Sequence, residues 1–557
     1  MLATIMAGIK RGGASSLLPL VGALGLLFVA AQFAAACTPE QRNFEGTGGG
    51  GGGSVCEPGT SESCYSGPPG TEDTGVCKAG TRACLSDGTG FAECVGEILP
   101  STEDCTTPED EACNGADTQE CPSLGHVWSK TFGDAEQQGL FDVAVDQKTS
   151  DIVAVGSFRS SIDFGTGTMA STGGDDGFIA KFDALGQVKW AKRFGDATSQ
   201  SAMSVAIGNG GMIYVGGTMS GSVDFGDGII KTSAGSSDAF LVKLDPDGNV
   251  VWSRVYGDTA SQNLQQVRVT GTGQIVISGE AAGTINFGQA PRTSTGSYDV
   301  FVATIDDAGF EVASAMLGGM NSENFGGMAV NALGEVVVTG TFSGSIKYGF
   351  QPDLVGAGLN DVFVVRYSPS LSPLWGKAFG DAESQNGIAV ALSDAGDTWT
   401  AGDARGSIDL GGGPLSAQAG AQSLYFARLD GNGDHVWSKI WSGPQSIAFG
   451  ARLAIDAKAS EIILAGWFSD TVDFGAGSFV SKGAVDAFVT RFNMDGGHVA
   501  SMTFGSALSD GVFGIALLPT RDLIIGGIHF DTIDLGGGPL TTMQPPDPNA
   551  YLARLLP

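Results

Sequence analysis

The sequence predicts an all-β fold: a seven-bladed β-propeller of four-stranded antiparallel blades over residues 127–557, preceded by a small disulfide-rich module. Three observations carry this. The motif W-x-[KR]-x-[FY]-G-D opens at Trp128, Trp190, Trp252 and Trp375, in partial form at Trp437, and in degenerate form at Ala313 and Ala500. Successive starts lie 62, 62, 61, 62, 62 and 63 residues apart, and a near-constant step of that size marks repeated supersecondary units. A second motif keeps the same count: Ser161-Ile-Asp-Phe-Gly165, Ser222-Val-Asp-Phe-Gly226, Thr284-Ile-Asn-Phe-Gly288, Ser345-Ile-Lys-Tyr-Gly349, Ser407-Ile-Asp-Leu-Gly411, Thr471-Val-Asp-Phe-Gly475 and Thr532-Ile-Asp-Leu-Gly536. Lastly, the repeat enters on a Trp128-type strand and leaves on a strand of another type, Tyr551-Leu-Ala-Arg-Leu555. Pairing residues 127–132 with 550–555 completes the seventh blade and removes an exposed edge.

From the N-terminus, Lys10 and Arg11 precede an apolar run from Leu17 to Val29, and Ala34, Ala35 and Ala36 then precede Cys37. This is the layout of an export signal over residues 1–36. The run is short and interrupted for a membrane span. Two outcomes remain open: lipidation of Cys37 as the first residue of a mature bacterial lipoprotein, or cleavage after Ala36 by an ordinary signal peptidase. The site resembles a lipobox, with Ala34 where that motif usually has Leu. The expected location is a bacterial outer membrane or cell surface, or the medium if the chain is not lipidated.

Residues 37–55 contain the six-glycine run Gly48 to Gly53, a flexible tether. All nine cysteines lie at or before Cys121. Setting Cys37 aside leaves Cys56, Cys64, Cys77, Cys84, Cys94, Cys105, Cys113 and Cys121, an even number suited to four disulfides in an oxidising compartment. Residues 56–121 hold few large apolar side chains, so covalent staples are expected to stabilise them. Zinc is disfavoured, because no pair is closer than C-x6-C. Glu103, Asp104, Glu109, Asp110 and Glu111 form the one candidate calcium cluster, without the alternating ligands of a known loop. No other cofactor is expected. With Cys64, Tyr65, Gly67, Pro68, Gly70, Thr71, Gly75, Cys77, Gly80 and Cys84, the segment resembles a Cys-rich module of bacterial surface proteins.

Within the first repeat, four strands are expected near residues 141–146, 152–158, 177–183 and 187–194. Phe178, Ala180 and Phe182 alternate with Ile179, Lys181 and Asp183, the period of a sheet. Turns such as Asp245-Pro-Asp-Gly248 and Asp430-Gly-Asn-Gly433 join the last two strands. The third-strand aromatics Phe178, Phe240, Phe301, Phe363, Tyr425, Phe488 and Tyr551 are expected to pack blade against blade. The unit from Asp238-Ala-Phe-Leu-Val-Lys-Leu-Asp245 through Trp252 resembles the bacterial seven-bladed β-propeller repeat family, over about 430 of the 557 residues. That resemblance implies fold and export far more than activity.

The net charge of −31 argues against nucleic acid and against anionic lipid as partners, since phosphate contact needs clustered Lys and Arg. No H-E-x-x-H, G-x-S-x-G or P-loop occurs, and the four histidines, His126, His435, His498 and His529, are scattered. Asp430, Asn432 and Asp434 alternate like a calcium loop, but His435 and Trp441 stand where Gly and Glu are needed, so a hairpin turn explains them better. Two rings remain. Asp134, Asp196, Asp258 and Asp381 follow the fourth strand, with Gln138, Gln200, Gln262 and Gln385 four residues on. The D-F-G aspartates Asp163, Asp224, Asp409, Asp473 and Asp534 open the connection between strands two and three. Both connections leave an up-and-down blade on the same side. The rings read either as turn caps or as an acidic binding face. The function that follows is an exported, surface-anchored binding scaffold for an extracellular or envelope protein or glycan, touching membrane only through its lipid. The alternative is a propeller enzyme acting on extracellular glycans.

Overall fold

A computed structural model of the protein describes residues 55–101, 110, 113, 124–134, 136–418, 420–442, 448–542, 545 and 547–557. The chain divides into two compact units, Met1–Pro122 and Ser123–Pro557.

In the first unit, Ser61–Cys64 pairs antiparallel with Gly80–Ala83. Disulfides join Cys56 to Cys84, Cys64 to Cys94 and Cys77 to Cys113. Among the described residues here, the only buried apolar side chains are Cys77, Cys84 and Cys113. Half-cystines therefore stand in for a hydrophobic core, as expected of a segment this poor in large side chains. Cys105 and Cys121 lie outside the described residues.

The described part of the second unit forms seven blades of four antiparallel strands. Blade 1 comprises Gln138–Val145, Ile152–Phe158, Asp176–Phe182 and Val188–Phe194, from inside outward. Its inner strand starts earlier than the apolar run suggests, because pairing continues past a bulge at Phe141 to Gln138↔Phe158. Blade 7 takes Asp510–Leu517, Leu523–His529 and Asn549–Leu555 from the C-terminus and His126–Phe132 from the start of the repeat. The closing strands run from His126↔Leu555 to Phe132↔Ala550. The inner strands touch one another in order, and Asp510–Leu517 returns to Gln138–Val145, so the ring is closed.

The seven third-strand aromatics are all fully buried. Each D-F-G segment opens a short hairpin, such as Ser161–Ile162 with Met169–Ala170, and drives its aromatic, or Leu410 and Leu535 in two copies, into the packing between blades. Phe164 lies 4.8 Å from Phe132 of the preceding blade and 5.0 Å from Phe178 of its own. Phe225 repeats this with Phe194 and Phe240, at 5.1 and 4.9 Å. Each such ring, once buried, stabilises the blade-to-blade seam by about 2–3 kcal/mol.

Candidate functional site

The Asp and Gln rings meet where one blade passes to the next. Asp196 Oδ1 accepts the backbone N–H of Thr198 and Nε2 of Gln200, both at 2.8 Å, while Oδ2 accepts the N–H of Ser222 at 2.7 Å. Asp258 does the same with Ala260, Gln262 and Thr284, and Asp381 with Glu383, Gln385 and Ser407. Asp134 takes the N–H of Glu136, Nε2 of Gln138 and the hydroxyl of Ser161. Each aspartate thus ties an inter-blade loop to the D-F-G hairpin beyond it. Burial opposes ionisation of Asp196, but these donors outweigh it and its pKa falls to about 2. Gln138, Gln200, Gln262 and Gln385 are buried, and each spends its Nε2 on the loop aspartate. These bonds make a knot of the kind that caps a turn.

The degenerate repeats keep the knot by exchanging its parts. Gly319 and Ser506 replace the aspartate, and Glu323 and Asp510 then replace the glutamine. Glu323 Oε2 accepts the N–H of Gly319 at 2.9 Å, and Asp510 Oδ2 that of Ser506 at 2.6 Å. A glutamine there would hold two buried N–H groups with no loop carboxylate to receive them. Burial, with the charge of Asp299 adding to it, pushes Glu323 up to about 7. Burial likewise pushes Asp510 up to about 6.

The D-F-G aspartates are exposed but engaged. Asp163, Asp224, Asp409, Asp473 and Asp534 each accept two glycine N–H groups of their own loop, for example Gly226 at 2.8 Å and Gly228 at 3.1 Å for Asp224. Gly226 has φ of +112°, a conformation that disfavours any side chain. Asp430 caps its hairpin through the N–H groups of Asn432 and Asp434. His126, His435 and His498 start three outer strands, each pairing Nε2 with the serine three residues on. His529 is buried, with Nδ1–H donating to the carbonyl of Asp531 and Nε2 accepting from Thr131 on the closing strand. Of the candidate calcium cluster, Asp110 alone is described; it is buried, and its carbonyl accepts the N–H of Val76. Glu103, Asp104, Glu109, Glu111 and Cys37 lie outside the described residues. Among the described residues no three His, Cys, Asp or Glu side chains gather as a metal site.

The opposite side of the ring carries a pattern that the sequence reading missed. A basic residue near the end of the third strand pairs with an acid at the turn into the second: Lys181–Asp151, Arg366–Glu335, Arg428–Asp397, Arg491–Glu461 and Arg554–Asp522. Blade 2 has Met212 in place of the acid, so Lys243 turns to Asp307 of blade 3 at 2.5 Å. Blade 3 has Gln274 and Thr304, neutral at both positions. Along the chain the partners stand about 30 residues apart, and only aligned repeats make them visible.

A cleft of about 850 Å³ opens on this side across blades 1, 2 and 3, between Asp146, Lys189, Trp190, Pro246, Asp247 and Thr270. Its wall is low because the blade 2 turn is Gly208-Asn-Gly-Gly211, with almost no side-chain volume. Asp151 within it is locked by Lys181 at 3.1 Å and by Lys189. Asp146 Oδ1 accepts the N–H of Lys148. Asp151 is buried, and the two lysines outweigh that burial and hold its pKa low.

No family model matches the chain. The regulatory protein FlaEY of Caulobacter vibrioides is 24% identical over 321 residues, covering 54% of this chain and 33% of that protein. The chain therefore spans about a third of that relative's length. Among solved structures, the chain is similar to the WD40 propeller domain of Doa1, at 9% identity and a TM-score of 0.39, over 77% of this chain and 97% of that one. It is similar also to Sqt1 of Saccharomyces cerevisiae, at 10% and 0.36 over 78% and 100%, and to YCF48 bound to D1 peptide, at 11% and 0.35 over 78% and 97%.

Proposed function

We propose that the protein is an exported, lipid-anchored binding scaffold whose propeller holds an envelope or extracellular protein or glycan in the cleft across blades 1, 2 and 3. The observation that carries this reading is the state of the cleft. Trp190 supplies an aromatic wall, Lys189 and Asp247 supply charge, and both Asp146 and Asp151 are already bonded. Such a surface offers an aromatic face for stacking and both signs of charge for recognising a ligand. Export rests on the N-terminal signal and on the disulfides, which belong to an oxidising compartment.

The test is a glycan array together with capture from envelope extract, using the mature full-length chain and a variant, Thr149→Trp, at a residue that lines the cleft. Loss of the captured partner in the variant supports the reading. Chemical change in a bound glycan would replace it with the glycan-processing alternative. Mass spectrometry of the mature N-terminus tests the anchor: an unmodified chain starting at Cys37 refutes lipidation.

A further inference from the structure

Each inner strand carries a bulge, at Phe141, Met203, Gln265, Gly326, Ile388, Gly450 and Phe513, which aligns the seven repeats around the axis. One residue past the bulge stand Asp142, Ser204, Gln266, Gly327, Ala389, Ala451 and Gly514. Two past stand Val143, Val205, Val267, Met328, Val390, Arg452 and Ile515. Three past stand Ala144, Ala206, Arg268, Ala329, Ala391, Leu453 and Ala516. The repeat therefore dictates a small or apolar lining. Asp142, Gln266, Arg268 and Arg452 depart from it, and the three charged ones come from three different blades.

Arg268 and Asp142 are in contact, and Arg452 stands at the matching stretch of the inner strand of blade 6. Arg268 NH1 donates to the carbonyl of Val267 at 2.8 Å and to Ser204 Oγ at 3.3 Å, and stands 3.5 Å from Asp142 Oδ2. Asp142 is already saturated: Oδ1 accepts the N–H of Val143, while Oδ2 accepts the Ser204 hydroxyl at 2.7 Å and the N–H of Val205 at 3.2 Å. Arg452 donates through Nε to the carbonyl of Phe513 and through NH1 to that of Ala451. Burial works against the charge of Arg452; Asp142 favours that charge, and Arg268 opposes it. Among the described residues no carboxylate lies within ion-pair distance of Arg452, and the NH2 group of neither arginine has an acceptor. Both side chains are half-buried, on inner strands that border the axis of the ring.

Two guanidinium groups thus face one occupied carboxylate, a local excess of positive charge on the axis of a chain with net charge −31. From this geometry we infer an oxyanion site in the axial channel between Arg268 and Arg452, taking a carboxylate or phosphate group. Free N–H donors on planar guanidinium groups match the paired oxygens of such anions. The ligand is either a free small anion or the terminal carboxylate of a peptide entering the channel. This site is separate from the cleft and does not depend on the reading of the cleft.

The experiment is thermal unfolding of the full chain at constant ionic strength, with chloride exchanged for inorganic phosphate, or with an acetylated tetraglycine peptide added as free acid or as amide. Binding to the folded state raises the unfolding temperature. The expected result is a rise with phosphate or with the acid peptide, none with the amide, and at least a tenfold loss of affinity in Arg268→Ala and Arg452→Val. Both substitutions restore the residue common at that position in the other repeats. Phosphate alone acting identifies a free anion; the acid peptide acting identifies a chain terminus. An equal rise in the double variant, or no rise with either probe in the natural chain, overturns the site. Should the variants fail to fold, selenate soaked into crystals of the natural chain decides: its anomalous peak belongs between the two arginines, and an empty channel refutes it.

Discussion

Trp128 and Arg554, from opposite ends of the propeller sequence, donate to one oxygen, the carbonyl of Ala184 in blade 1, each at 3.0 Å. The same clamp joins four further seams. Trp190 and Lys181 share Pro246, Trp252 and Lys243 share Asp307, Trp375 and Arg366 share Gly431, and Trp437 and Arg428 share Met494. The carbonyl always belongs to the hairpin turn of the next blade. Blade 6 has Ala500 in place of the tryptophan. Its neighbour is blade 7, whose corresponding turn is split between the two ends of the chain, and Leu124 joins the buried cluster around Ala500 instead.

Trp128 closes the ring, so its loss acts on the whole propeller. Trp128→Phe removes the indole bond and is expected to cost about 1 kcal/mol. Trp128→Ala also removes packing and is expected to cost about 3 kcal/mol in urea unfolding. Equal stability of both variants and the natural chain would show that the clamp is incidental.

The buried carboxyls set a pH optimum. Glu323, Asp403 and Asp510 are raised to about 7, 6 and 6, each first by burial. Their contribution is complete below the ordinary carboxylate range and is lost as pH rises through 6 to 7. Asp196 is lowered to about 2, so its contribution is present above 3.8 and lost as pH falls towards 2. Unfolding temperature is therefore expected to peak near about pH 4 and to fall on either side of it. Glu323→Gln and Asp510→Asn should flatten the alkaline limb, and Asp196→Asn the acid one. An optimum above pH 8 contradicts the assignment.

How much of this was legible follows from what repeats. The seven starts, the D-F-G wedge and the closing strand recur at a fixed step, so the fold could be read directly. Gln200 looks like a surface residue after a turn, and only the inward course of the inner strand reveals it as buried. Lys181 looks like the polar side of an alternating strand, yet Asp151 and the next blade cover it. Arg268 and Arg452 occur once each, and a single departure in a repeat resembles drift until the bulges align the strands.

The ion pairs differ in burial, and their removal should follow that difference. Arg491 is 1% exposed and holds Asp456 and Glu461, each at 2.8 Å. Arg491→Ala leaves buried Asp456 and half-buried Glu461 with Arg521 as their remaining cation and is expected to cost about 3 kcal/mol in chemical denaturation. Lys243→Ala leaves only Asp307, whose side chain is 73% exposed, and is expected to cost about 1 kcal/mol, mostly as lost packing. A reversed order would mean that burial does not govern these pairs.

The disulfides and the propeller should respond separately to reductant. No cysteine follows Cys121, so nothing in residues 127–557 can be reduced. The first unit buries cysteine sulfur where a larger domain buries Leu and Phe. Its bridges close loops of 28, 30 and 36 residues, each contributing about 3–4 kcal/mol by limiting the unfolded chain. Dithiothreitol is thus expected to expose residues 55–101 to protease while leaving the main unfolding transition unchanged. A main transition lowered by several degrees on reduction would mean that the propeller draws stability from the stapled unit, and the two could then no longer be treated as independent in any binding experiment.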